Sequence, residues 1–152
     1  MKIAAVIEDR GGMMFNHRRL SRDRALNQRI EYLADQLTGG GRLWVAPYSA
    51  ELFQEAVTAN NSSGVVVDSD FPKVVVDEDF LEKAGENDFC FVEDRPLKPY
   101  ASRISELYLF HWNRRYPADL YFDLPLDGYR LVSQEEFAGY SHEKISEEHY
   151  KK

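Results

Sequence analysis

Short apolar runs alternate along this chain with amphipathic segments, and glycine, proline or polar clusters separate them. Lys2–Ile7 is an apolar run that predicts a strand, broken by Gly11-Gly12. From Ser21 to about Leu37, the apolar residues Ala25, Leu26, Ile30, Leu33, Ala34 and Leu37 recur at helical spacing. This predicts a helix with Ser21 as its N-cap and Gly39-Gly40-Gly41 as its stop. Arg42–Ala46 predicts a second strand and Ser49 to about Thr58 a second helix, followed by a loop at Asn60–Ser63. The valine runs Gly64–Val67 and Lys73–Val76 predict buried strands, and Phe80–Ala84 a short helix ended by Gly85. Asp88–Val92, Ser105–Trp112, Asp119–Phe122 and Tyr129–Val132 predict later strands, while Ser141–Lys152 reads equally as strand or helix. Strands alternating with helices predict an α/β domain with a largely parallel sheet covered on both faces and finishing antiparallel.

Composition narrows the function more than the fold. The chain has 152 residues, 43% apolar and 30% charged, enough for one domain over 1–152 with its own core. No apolar run approaches the roughly 20 residues of a membrane helix. The first apolar run passes straight into Glu8-Asp9-Arg10, too soon for a signal peptide. A lone cysteine, Cys90, in an apolar strand reads as an inert core thiol and predicts a cytoplasmic protein. The excess of 26 acidic over 19 basic residues, net −7, speaks against a nucleic-acid partner. His17, His111, His142 and His149 show no metal-ligand spacing, and the last two read as residues of a solvated tail. Neither a Gly-x-Ser-x-Gly elbow nor a glycine-rich phosphate motif is present, so Gly11-Gly12 reads as a mobile hinge.

Five segments carry a family resemblance through their order and spacing. They are Ile3-Ala4-Ala5-Val6 followed by Gly12; Leu20-Ser21-Arg22-Asp23; Arg42-Leu43-Trp44-Val45-Ala46-Pro47-Tyr48-Ser49-Ala50-Glu51; Leu107-Tyr108-Leu109-Phe110-His111; and Asp119-Leu120-Tyr121-Phe122. In sequence they resemble the first strand and glycine loop, the Leu-Pro-x-Asp/Glu, the Val-x-Met-Gly-Arg-x-Thr-x-Glu, the Leu-Tyr-Leu-Thr and the Gly-Asp-Thr-x-Phe of the dihydrofolate reductase-like family. That family includes the dihydrofolate reductases and the reductase domain of riboflavin biosynthesis. The resemblance implies a three-layer α/β/α fold and would make Asp23 the proton donor or pterin-binding acid. It also implies NADPH, but the cofactor residues differ. Reductases carry a Gly-Gly pair after the strand matching Phe89–Val92, where this chain reads Glu93-Asp94-Arg95-Pro96. At about 6 Å and an effective dielectric near 20, each carboxylate facing a phosphate charge would cost roughly 3 kcal/mol. Pro96 and Pro99 also predict that the following helix is shortened or absent. The glycine and arginine of the second cofactor turn are replaced in Ala46-Pro47-Tyr48-Ser49, which keeps one hydroxyl, and Phe110 replaces a pterin-holding threonine.

The residues that remain for chemistry cluster in the basic run Asn16–Arg29, which holds Arg18, Arg19, Arg22, Arg24 and Arg29. Guanidinium forks bind carboxylates and phosphates. The favoured expectation is a diverged protein of this fold, without the usual NADPH site, that binds a small anionic ligand. Asp23, Asn16, Arg18, Arg19, Ser49 and Tyr108 would line that cleft. One alternative is an NAD(P)H- or flavin-dependent reductase of a pteridine-like substrate with Asp23 as acid. Another is a non-catalytic interaction protein using the arginine-rich segment. Arg114-Arg115 beside Trp112 and Tyr116 mixes bases with aromatics, which more often completes a core than binds a nucleic acid.

Overall fold

The computed structural model describes residues 1–38, 42–61 and 72–152. The expected helix stop at 39–41 and the expected strand at 64–67 lie outside these residues. Strands β1 (Lys2–Ile7), β4 (Arg42–Val45), β5 (Lys73–Val76), β6 (Phe89–Phe91) and β7 (Glu106–His111) run parallel. β9 (Arg130–Phe137) and β10 (Ile145–Lys151) complete the sheet antiparallel, in the order β5-β4-β6-β1-β7-β10-β9. A second, three-stranded sheet joins β2 (Gly12–Phe15), β3 (Arg18–Arg19) and β8 (Leu120–Tyr121).

Helix α1 (Arg24–Leu37) buries Leu26, Ile30, Leu33 and Ala34 on one face of the main sheet, against Val6, Val45, Phe91 and Phe110. A 3-10 helix, Pro47–Phe53, and α2 (Gln54–Asn61) follow β4, and the former adds Leu52 and Phe53 to that layer. The opposite face packs Ile3, Ala5, Cys90 and Leu107 against α3 (Phe80–Lys83) and Leu97. The sheet is therefore covered on both sides, and its C-terminal end is antiparallel, as the alternation of elements implies. Among the described residues no helix is long and apolar enough to cross a membrane.

Several local expectations are corrected. The N-cap of α1 is Asp23, whose side chain accepts from the Ala25 amide at 2.9 Å; Ser21 lies outside the helix. The segment after β4 winds as a 3-10 helix, with Pro47 in its first turn and no side-chain cap from Ala46, before becoming α-helical. Met13–Phe15 lies in strand β2, and Asn16 and His17 turn the hairpin to β3 with φ of 52° and 60°. Of the Gly11-Gly12 pair, Gly12 is closely packed, since a Cβ there would stand 2.3 Å from that of Ala118, while Gly11 has open space around it and a φ of 86°. β5 lies at the edge of the described sheet and is half-buried, with Val76 44% exposed. By contrast, the expectation from Pro96 and Pro99 holds: after β6 the chain forms only a six-residue 3-10 helix, Lys98–Arg103. The tail is a strand, and its histidines are packed: His142 is buried against Trp112, and His149 stacks on Tyr108 at 4.1 Å.

Candidate functional site

The basic run leaves β2 through the Asn16-His17 turn and returns along β3 toward α1. That path carries Arg19 to the C-terminal end of β6, where Glu93 is buried. Arg19 donates Nε–H to Glu93 Oε2 at 3.2 Å and Nη2–H to Oε1 at 2.8 Å, a bidentate pair. Ser49 Oγ donates to the same Oε1 at 2.8 Å. Arg19 also pairs with Glu51, donates to the Tyr48 carbonyl at 3.1 Å and lies over the Tyr48 ring at 4.5 Å. Burial works against the Arg19 charge, but Glu93 and Glu51 outweigh it and hold its pKa above the usual value. Ser49 and Arg19 are thus brought together, around a carboxylate of the protein itself.

Asp23 is placed elsewhere. Besides the Ala25 amide, it accepts from the amides of Tyr140 (3.1 Å) and Ser141 (2.8 Å) and from Ser141 Oγ (3.0 Å). His142 Nδ1 lies 3.2 Å from its Oδ2. Burial alone would raise this carboxyl, but the donors from Ser141, Tyr140 and His142 outweigh it and hold it well below the usual carboxylate range. The ionised group carries no proton to give near neutral pH. On its other edge, His142 Nε2 meets the Tyr116 hydroxyl at 3.0 Å and Ser21 Oγ at 3.3 Å. Gly139 is needed here, since a Cβ would come within 2.4 Å of Asp23 Oδ2. The cluster fastens the loop before β10 to the start of α1.

Tyr108 is also apart from Arg18 and Arg19. It is buried on the α1 side of β7, between Phe89 and His149. Asn16 and Arg18 do share a space with Arg19: an open cavity of about 330 Å³ walled by Phe15, Leu20, Tyr116 and Pro117. Arg24 pairs with Glu55, and Arg29 with Glu147 and Glu135. Among the described residues, Arg18 and Arg22 make no side-chain ion pair within 4 Å, and no cluster of His, Cys, Asp or Glu converges as metal ligands.

Neither a protein-family model nor a curated protein matches the chain. Among solved structures, a dihydrofolate reductase from Enterococcus faecalis, complexed with NADP(H) and RAB-propyl, superposes with a TM-score of 0.59. The match covers 99% of this chain and 94% of that one, at 9% identity. The fold is dihydrofolate reductase-like. At this identity the likeness is one of fold, and chemistry must be argued from the side chains present. The Glu93 network, the Glu31 carboxylate discussed below and the His142 cluster were missed from sequence. Only Glu93 left a signal there, as a carboxylate where the resembled family has glycine.

Proposed function

We propose that the protein binds a small organic anion in the Arg18 cavity and works without a dinucleotide held at residues 93 and 94. The observation that carries this reading is the Glu93 carboxylate, already gripped by Arg19 and Ser49. These residues do not fit a pyrophosphate. A phosphate there would lose both partners to Glu93 or displace it, at a cost of roughly 3 kcal/mol per opposed charge pair at about 6 Å. Of the arginines that the sequence pattern offers to an anion, Arg19, Arg24 and Arg29 are neutralised by acids, while Arg18 and Arg22 make no ion pair within 4 Å among the described residues, and Arg18 lines a cavity with Phe15, Leu20, Tyr116 and Pro117. A guanidinium beside Phe15, Leu20 and the Tyr116 ring suits a flat ligand with one carboxylate or phosphate. The reductase alternative with Asp23 as acid gains no support from the surroundings of Asp23, which keep it ionised and enclosed.

The test is a thermal-shift titration of the whole chain with NADPH and with benzoate and phenyl phosphate. Ligand at a hundred times its dissociation constant adds about 2.7 kcal/mol to stability, a shift of several degrees for a domain of this size. An aromatic anion should raise Tm, Arg18→Glu should abolish the rise, and NADPH should leave Tm unchanged. A rise with NADPH that Arg18→Glu leaves intact would overturn the reading.

A further inference from the structure

Glu31 takes no part in anything described above. It lies on the inward side of α1, next to Ile30, and is only 6% exposed. No hydrogen bond reaches its carboxylate among the described residues, and the nearest charge acting on it is another acid, Glu55. Burial, then Glu55, pushes its pKa up to about 7. Its oxygens open onto the space described next rather than being sealed in the core; among the described residues the enclosed side-chain atom without a partner is Trp44 Nε1.

The same carboxylate lines a cavity of about 250 Å³ between α1 and the segment Glu51–Glu55. The acids at its edge are engaged: Glu51 with Arg19, and Glu55 with Arg24 at 2.9 Å. Arg22, also in the lining and exposed, makes no ion pair within 4 Å among the described residues, and its charge acts at longer range on Glu51. Asn27, Gln28 and Gln54 complete a polar lining. One unpaired carboxylate and one unpaired guanidinium therefore face the same small space.

We propose that this cavity binds a small aminocarboxylate, its ammonium on Glu31 and its carboxylate on Arg22. An ammonium supplies the hydrogen bonds that Glu31 lacks. A simple anion would meet Glu31 with like charge, and a simple amine would leave Arg22 unused. A metal ion is a poorer fit, because no three ligating side chains converge among the described residues. The site shares no lining residue with the Arg18 cavity.

The experiment is calorimetric titration of the full chain at about pH 8, above the raised pKa of Glu31. The probes are the linear series from glycine to 6-aminohexanoate, with butylamine and butyrate as single-charge controls. At least one aminocarboxylate should bind, about tenfold or more tighter than either control. Glu31→Gln and Arg22→Gln should each weaken it by about tenfold, while Arg18→Glu should not. Binding should also weaken from about pH 8 to pH 6 as Glu31 takes up a proton; the charged groups that face the same cavity are Glu51, Glu55, Arg22 and Arg24. Glu31→Gln removes a buried charge and should fold at least as stably as the parent, which a urea titration checks. Binding no member of the series, binding butyrate equally well, or unchanged binding by Glu31→Gln would each overturn the proposal.

Discussion

Replacing Asp23 with asparagine separates an anchoring role from a catalytic one. Asparagine caps helices about as well as aspartate, so the bond to the Ala25 amide survives. What is lost is the charge that accepts from the Ser141 amide and hydroxyl and faces His142 Nδ1. Hydrogen bonds to charged groups contribute about 1.5–3 kcal/mol each, and an asparagine amide would turn donors toward donors. Because these bonds share one carboxylate they do not add, and a total loss of about 2–4 kcal/mol is expected. For a chain of this length that is a fall in Tm of about 5–12 °C. The pH dependence has a definite sign. The folded Asp23 carboxyl is held below its unfolded value, so its stabilisation is complete above the unfolded pKa near about 4. It is lost as pH falls from there toward the folded pKa, so parent and variant should converge in acid. Urea unfolding at neutral pH and down to about pH 2.5 measures both effects. A difference below about 0.5 kcal/mol at neutral pH, or one that does not shrink in acid, would refute the anchoring role.

Two further variants or probes test the rest of the frame. Arg19→Ala strands the buried Glu93 carboxylate and should cost about 3–5 kcal/mol in chemical denaturation, more than Glu93→Gln, which leaves Arg19 its bond to Glu51. Cys90 lies at 0% exposure with its thiol pKa pushed up to about 12 by burial and Asp88, so a thiol reagent should modify it only as fast as the chain opens; rapid modification of the folded protein would contradict the packing of β6.

The parts of the fold that the sequence makes legible are those decided by local burial. β1 spans the residues its apolar run marks, because a central strand with both faces covered is apolar throughout. α1 ends where its periodicity ends, at Leu37, for the same reason. Its start is not local. Ser21 and Asp23 are both good caps, and Asp23 takes the place because Tyr140, Ser141 and His142 approach it from more than a hundred residues away. The β2–β3 hairpin is hidden because Asn16 and His17, rather than Asn-Gly, fill its two left-handed positions. β9 continues through Ser133-Gln134-Glu135-Glu136, polar on both faces, because it is an exposed edge with no core to require alternation.

The arginine run shows why composition located the region but not the site. Between residues 18 and 29, five guanidiniums stand close in sequence, yet their roles depend on acids brought from elsewhere in the chain. Glu93 claims Arg19, Glu55 claims Arg24, and Glu147 and Glu135 claim Arg29. None of these acids has a sequence spacing to the run that a helix or strand period would reveal. What distinguishes a ligand-binding charge from a structural one is therefore a difference: the charge that folding leaves without a partner beside open space. Applied to this chain, that criterion sets aside Asp23, Arg19 and Glu93, each of which is fully engaged. It retains Arg18 at one cavity, and Arg22 with Glu31 at another. Glu31 is the most informative of these, because it is the acid of its cavity that no side chain engages among the described residues, whereas Glu51 and Glu55 are held by Arg19 and Arg24.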